Sequence, residues 1–153
     1  MRNFFGDAIQ FKSIDKIGDP LVKLNENIDW EIFRTPIETN IHKDKSKAWI
    51  PPYDAILMFK IVTLQQLYGL SDLSTEFEIN NRHTFMRFLG LESGDKVPAS
   101  NEIGAFKETL KENNLDRTLF DLFNKTLREK NMIARKGRIV GATFVTVDKN
   151  ETT

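Results

Sequence analysis

Apolar residues in this chain recur at helical spacing over most of its length, most densely between residues 53 and 91. The first segment there places Ile56, Leu57, Met58, Phe59, Ile61, Val62, Leu64, Leu67 and Tyr68 on nearly every side. A helix apolar all round must be surrounded by other elements, so this segment is predicted to be the central core helix. It starts near Pro52 or Asp54, a tolerated first-turn proline and a good N-cap, and stops before Gly69, which suits a left-handed C-cap. Ser71 caps a second helix whose expected core face is Leu73 and Phe77, and Asn80-Asn81 breaks it. A third carries Phe85, Phe88 and Leu89 at i, i+3, i+4, leaving Arg82, His83 and Arg87 off the stripe, with Gly90 as terminator.

Downstream, Ile103, Phe106 and Leu110 mark a fourth helix, and Leu115, Leu119, Leu122, Phe123 and Leu127 a fifth. Residues 138–147, RIVGATFVTV, are rich in β-branched side chains and predict a strand with no second strand to pair with. Upstream, Gly18-Asp19-Pro20 marks a turn. Leu21, Leu24, Ile28, Trp30, Ile32 and Phe33 suggest short amphipathic helices, with Asp29 as a cap and Pro36 as a stop. Residues 42–47 are polar and aperiodic, an expected exposed loop. The pattern predicts a mainly α fold: about five helices and one C-terminal strand. It divides into residues 1–50 with short helices and a loop, 51–135 as the helical domain, and 136–153 as the strand remnant.

At 153 residues the chain is long enough for one self-supporting core. No apolar run approaches the ~20 residues of a membrane span, and no secretion signal is visible, so a cytoplasmic location with no membrane partner is expected. The absence of cysteine excludes disulfides and thiolate chemistry, and two separated histidines, His42 and His83, disfavour a histidine metal site. A formal net charge of zero conceals an uneven distribution. Lys125, Arg128, Lys130, Arg135, Lys136 and Arg138 stand against the single acid Glu129, whereas residues 71–102 lean acidic. Such a run attracts a polyanion or forms an ordinary solvated face.

A family resemblance rests on the ordered string Pro51-Pro52-Tyr53-Asp54, Leu57-Met58-Phe59-Lys60, Leu64-Gln65-Gln66-Leu67-Tyr68-Gly69-Leu70-Ser71-Asp72 and Phe85-Met86-Arg87-Phe88-Leu89-Gly90-Leu91. It continues through Val97-Pro98, Ile103, Phe106-Lys107-Glu108 and Leu115 to Ile139-Val140-Gly141-Ala142-Thr143. From about residue 17 to 147 the chain resembles the N-terminal helical domain of DDE transposases of the InsH type, in the insertion-sequence-five family. The resemblance implies a following RNase-H-like catalytic domain whose first strand brings the first of three acidic metal ligands. Two metal ions there would stabilise the attacking and leaving oxygens of a phosphodiester displacement. Gly141 stands where that aspartate belongs, so no catalytic residue, metal site or cofactor is expected here, and Mg2+ would belong only to an intact parent enzyme. Ala99 and Gly104 also replace an aspartate and an aromatic residue of the pattern. They forfeit a helix cap, about 0.5–2 kcal/mol, and about 1 kcal/mol of helix propensity, which reads as decay.

The resemblance implies a truncated, catalytically incompetent transposase fragment that binds DNA at transposon terminal inverted repeats. Docking is expected through Arg82, His83, Arg87, Lys107 and Lys111, and phosphate contact through Lys125, Arg128, Arg135, Lys136 and Arg138. The fourth helix counts against itself, since Glu102, Glu108 and Glu112 outnumber Lys107 and Lys111. The alternatives are an interaction module, pairing with itself as a homodimer or with an intact transposase, and a relic without function. Asp148 and Glu151 read as exposed terminal acids, Lys60 as a snorkelling lysine, and Trp30 and Trp49 as core or interface anchors.

Overall fold

The computed structural model describes residues 19–41, 53–135 and 138–140. Seven α-helices account for most of them: α1 (Pro20–Asn27), α2 (Arg34–Ile41), α3 (Ala55–Tyr68), α4 (Asp72–Asn81), α5 (His83–Leu89), α6 (Ser100–Glu112) and α7 (Leu115–Glu129). A single 3-10 turn, Trp30–Phe33, leads directly into α2. The architecture is mainly α, as the hydrophobic pattern predicts.

Local chemistry sets the helix ends. Asp54 accepts from the backbone N–H of Ile56 at 3.0 Å, Ser71 from that of Ser74 at 3.1 Å, and Asp29 from that of Glu31 at 3.2 Å. Each supplies an acceptor to a first-turn donor that lacks a helical partner. Gly69 and Gly90 close α3 and α5 at φ 64° and 75°, a left-handed conformation that costs glycine nothing. Pro36 does not stop its element. It lies in the first turn of α2, where the missing N–H has no helical partner to lose.

The central helix α3 is buried along nearly its whole length, with Met58, Phe59, Ile61 and Leu64 at 0% exposure. Around it lie Phe33 and Ile37, Phe85 and Phe88, Ile103 and Phe106, and the α7 stripe Leu115, Leu119, Phe123 and Leu127, all in one core. Trp30 joins the layers: its ring centroid lies 5.8 Å from Phe33, 6.2 Å from Phe59, 5.6 Å from Phe88 and 6.0 Å from Phe123. Such aromatic contacts add to the burial energy of each ring.

Three further expectations need correction. Leu73 and Phe77 are not the core face of α4; they are 70% and 63% exposed, and Thr75 and Ile79 are buried instead. The strand at Arg138 is not alone. β1 (Ile133–Arg135) and β2 (Arg138–Val140) pair antiparallel, with Arg135 opposite Arg138, and the hairpin lies beside α7 and α1. Backbone donors that an isolated strand would leave open are thus paired. Lys60 does not lift its amine to the surface: it donates to the Phe88 carbonyl at 3.0 Å, with the Trp30 and Phe88 rings about 5 Å from the ammonium. Burial pulls its pKa down.

Candidate nucleic-acid interface

A surface cation held by a carboxylate of its own chain brings less net positive charge to a polyanion than an unpaired one, so the partners of each lysine and arginine weigh its part in the site. Arg34 is enclosed by Glu31, Glu38 and Asp54 at 2.7, 3.3 and 2.6 Å. Its charge holds the Asp54 carboxyl below the usual carboxylate range. Arg82 pairs with Glu78 at 2.6 Å and lies 5.4 Å from the Phe85 ring. Arg87 reaches Asp19 at 3.3 Å from a side chain that is 64% exposed. His83, at the start of α5, is exposed.

Lys107 is committed more deeply. Its amine donates to Asp72 at 2.6 Å, and the same oxygen accepts from the Gln65 amide at 2.7 Å. Gln65 also donates to Thr75 Oγ1 at 3.0 Å, and that hydroxyl donates to the Ser71 carbonyl at 2.6 Å. Burial raises the Asp72 carboxyl, but the bonds from Lys107 and Gln65 outweigh it and hold its pKa below the ordinary value. The network explains the inward polar face of α4: Thr75 turns in because Gln65 on α3 waits for it.

The same junction answers both departures from the family pattern. Ala99 offers no side-chain cap, but Glu76 of α4 accepts from the Ser100 N–H at 2.7 Å and Glu102 from the Ala99 N–H at 2.9 Å. The two donors served are the N–H groups of the cap residue and of the first helical residue, whereas an aspartate cap would accept from the second or third. Glu102 also accepts from the Tyr53 hydroxyl at 2.9 Å; burial and that bond push the phenol up to about 12. At Gly104 a Cβ would stand 3.0 Å from an Asp72 oxygen, so glycine there lets α6 close on α4. Neither position is a bare loss.

Among the described residues, Lys23 and Lys96 form no ion pair, and the densest run of unpaired cations begins at Lys111. Lys111 at the end of α6, Arg117, Lys125 and Arg128 on α7, and Lys130 after it are all exposed and form no ion pair with a described residue. At 100° per residue, Arg117, Asp121, Asn124 and Arg128 make one outward row, with Lys125 beside it. Arg128 also lies in the last turn of α7, where the helix dipole favours a cation. Between α3, α6 and α7 opens a cleft of about 550 Å³, with Val62, Leu110 and Phe120 on its floor and Lys111, Arg117, Asp116 and Asp121 around it. The chain then enters the hairpin, whose register sets the backbones of Arg135 and Arg138 opposite each other. The side chains of these two, and Lys136 altogether, lie outside the described residues, as do Trp49, the loop at 42–47 and everything from Gly141 onward.

The expected interface therefore separates. Arg82 and Lys107 are held by carboxylates, and Arg87 loosely so, whereas Lys111, Lys125 and Arg128 stand free of described acids. Lys130, part of the basic run read from the sequence, joins them, and so does Arg117, which that run did not include. Asp116 and Asp121 mask Arg117 in a charge count; Asp121 shares its outward row, yet Arg117 forms no ion pair with either acid. Among the described residues no group of three or more His, Asp or Glu side chains converges to hold a metal ion, and no helix is long and apolar enough to cross a membrane. Residues 10–109 match the family model described as a transposase domain (DUF772). No solved structure matches the chain.

Proposed function

The chain belongs to the transposase domain family (DUF772), and from that premise we propose that it is a DNA-binding module of an InsH-type DDE transposase, directed at the terminal inverted repeats of its element. The observation that carries this reading is the sorting of charge. Among the described residues, Arg34, Arg82, Arg87 and Lys107 are held by carboxylates within the fold, whereas five cations without an ion pair, Lys111, Arg117, Lys125, Arg128 and Lys130, follow one another from the end of α6 through α7; Lys23 and Lys96, also without an ion pair, stand apart from them in the sequence. Phosphates would be met by Arg117, Lys125, Arg128 and Lys130, continued by Arg135, Lys136 and Arg138 of the hairpin region. Asn124 and Arg128, neighbours on the outward row, are the side chains suited to base edges. No chemical step is assigned: Gly141 supplies no oxygen where the resembled family places its first metal-binding aspartate.

The test is a titration against a labelled duplex carrying the terminal repeat and against a scrambled one, each at two salt concentrations. Tighter binding to the repeat is expected, weakening steeply with salt. Replacing Lys125, Arg128 and Lys130 by glutamine should reduce the slope of log affinity against log salt by roughly 2–3, at about 0.9 per phosphate contact. Replacing Arg82 should leave that slope unchanged. Equal, weak binding to both duplexes, or a salt slope that follows Arg82 instead, overturns the assignment.

A further inference from the structure

Helix α7 carries an acid on the face where a polyanion would repel one. At about 100° per residue, Asp121 falls opposite the middle of the buried stripe Leu115, Leu119, Phe123 and Leu127. Arg117 lies four residues before it and Lys125 four after, and all three side chains are exposed. Opposite charges at that spacing are placed to pair, as Glu78 and Arg82 do at 2.6 Å and Arg34 and Glu38 at 3.3 Å. Asp121 pairs with no described residue. Asn124, one turn on, is open in the same way. Asn27, Asn40, Asn80, Asn81 and Asn113 donate their amides to the carbonyl four residues back, whereas Asn124 makes no such bond.

The major groove of DNA offers such side chains a defined set of groups. It is about 12 Å wide, admits an α-helix, and presents amine donors on cytosine N4 and adenine N6 against acceptors on guanine and thymine. A carboxylate only accepts, so it bonds the cytosine amine and meets lone pairs with lone pairs over guanine or thymine. An asparagine amide both donates and accepts, and matches adenine N6 and N7. Asp121 and Asn124 are three residues apart, about 4.5 Å along the helix, close to the step of about 3.4 Å between base pairs. Arg117 and Arg128 bracket them about 16 Å apart, on the scale of the groove and its phosphate walls. An acid in the middle of the row is thereby set over bases and away from the backbone.

We infer that α7 enters the major groove with Asp121 over a cytosine and Asn124 over an adenine of the neighbouring base pair, and that these two side chains set which sequence is bound. The inference rests on the DNA-binding reading above and adds the bases to it.

Binding selection from a pool of duplexes with a randomised central segment reads the preference. The wild-type chain should enrich a cytosine next to an adenine, and changing either base in the enriched duplex should weaken binding by roughly 5- to 150-fold. Asp121→Ala should lose the preference at the cytosine position alone and bind the other three bases there more tightly, since an acid is removed from beside a polyanion. Asp121→Asn should move that preference to adenine, and Asn124→Ala should relax only the neighbouring position. Both side chains are exposed, so each variant should keep the wild-type melting temperature. A uniform gain in affinity for every duplex in Asp121→Ala makes Asp121 an ordinary surface acid and overturns the inference. Enrichment of other bases, or enrichment that survives both alanine variants, overturns it too, while DNA binding stands. If no duplex is retained even at low salt, the DNA-binding reading falls and takes the inference with it.

Discussion

Helices α4 and α7 lie in the same bundle and treat their apolar residues in opposite ways. On α7 the stripe Leu115, Leu119, Phe123 and Leu127 goes wholly to the core, and charged residues cover the outside. On α4 the apolar side chains of Leu73 and Phe77 face solvent while Thr75 and Ile79 face inward. The difference lies in what each helix meets. Helix α7 meets rings, Phe123 stacking on Trp30 at 6.0 Å. Helix α4 meets the buried side chain of Gln65, whose amide nitrogen donates to Asp72 and Thr75, and a buried donor without a hydrogen bond costs more than an exposed phenylalanine. The lesson is that a helix turns the face its neighbours can satisfy.

The sharpest way to break this comparison is to truncate the same residue type on both helices. Phe123→Ala should cost about 3–5 kcal/mol, the range for a fully buried aromatic. Phe77→Ala should stay within about 0.5 kcal/mol, as for a surface change. Paired denaturant titrations decide it, and equal losses would mean that Phe77 supports the monomer fold after all.

A smaller effect tests the polar junction. Lys107→Met should cost about 1 kcal/mol, since 40% of the lysine and 32% of the aspartate side chain remain in solvent. The folded Asp72 has a lowered pKa. Its pairing therefore contributes stability above the unfolded carboxylate value of about 3.9 and loses it as pH falls through the folded value. Melting curves of the wild-type and Lys107→Met chains should converge as pH drops below 4, and a gap that stays constant would detach Lys107 from Asp72.

The smallest effect concerns Gly104. Gly104→Ala gains about 1 kcal/mol of helix propensity but presses a Cβ to 3.0 Å from Asp72, so the net change in the wild-type chain should lie within about 0.5 kcal/mol. In an Asp72→Ala background the full gain should reappear. A double-mutant cycle with no coupling would show that the close approach has no energetic weight.

Much of the fold was legible from local signals. The all-round apolar run of α3, the caps Asp29, Asp54 and Ser71, the glycine terminators Gly69 and Gly90, and the α7 stripe each act within a turn of themselves. Position 36 was misread because proline has opposite meanings in the first turn and in the interior, and only the start of α2 at Arg34 decides between them. The face of α4 was misread because its partners, Gln65 and Lys107, approach from 10 and 32 residues away from Thr75. The candidate site was legible as composition but not as availability. Arg87 and Asp19 are 68 residues apart in sequence, yet the fold brings them together. The family match ends at residue 109, so it spans the core helices up to the last turn of α6, while the free basic stretch lies beyond it.

Trp30 gives the molecule its own optical gauge. Its indole touches rings carried by the 3-10 turn, α3, α5 and α7, with the Lys60 ammonium 5.1 Å from its centroid. A cation that close shifts the energy of the excited indole, and any separation of the helices changes both its solvent exposure and its quenching. With Trp49 replaced by phenylalanine, the emission maximum of a single fluorophore would follow the joining of four segments as one event.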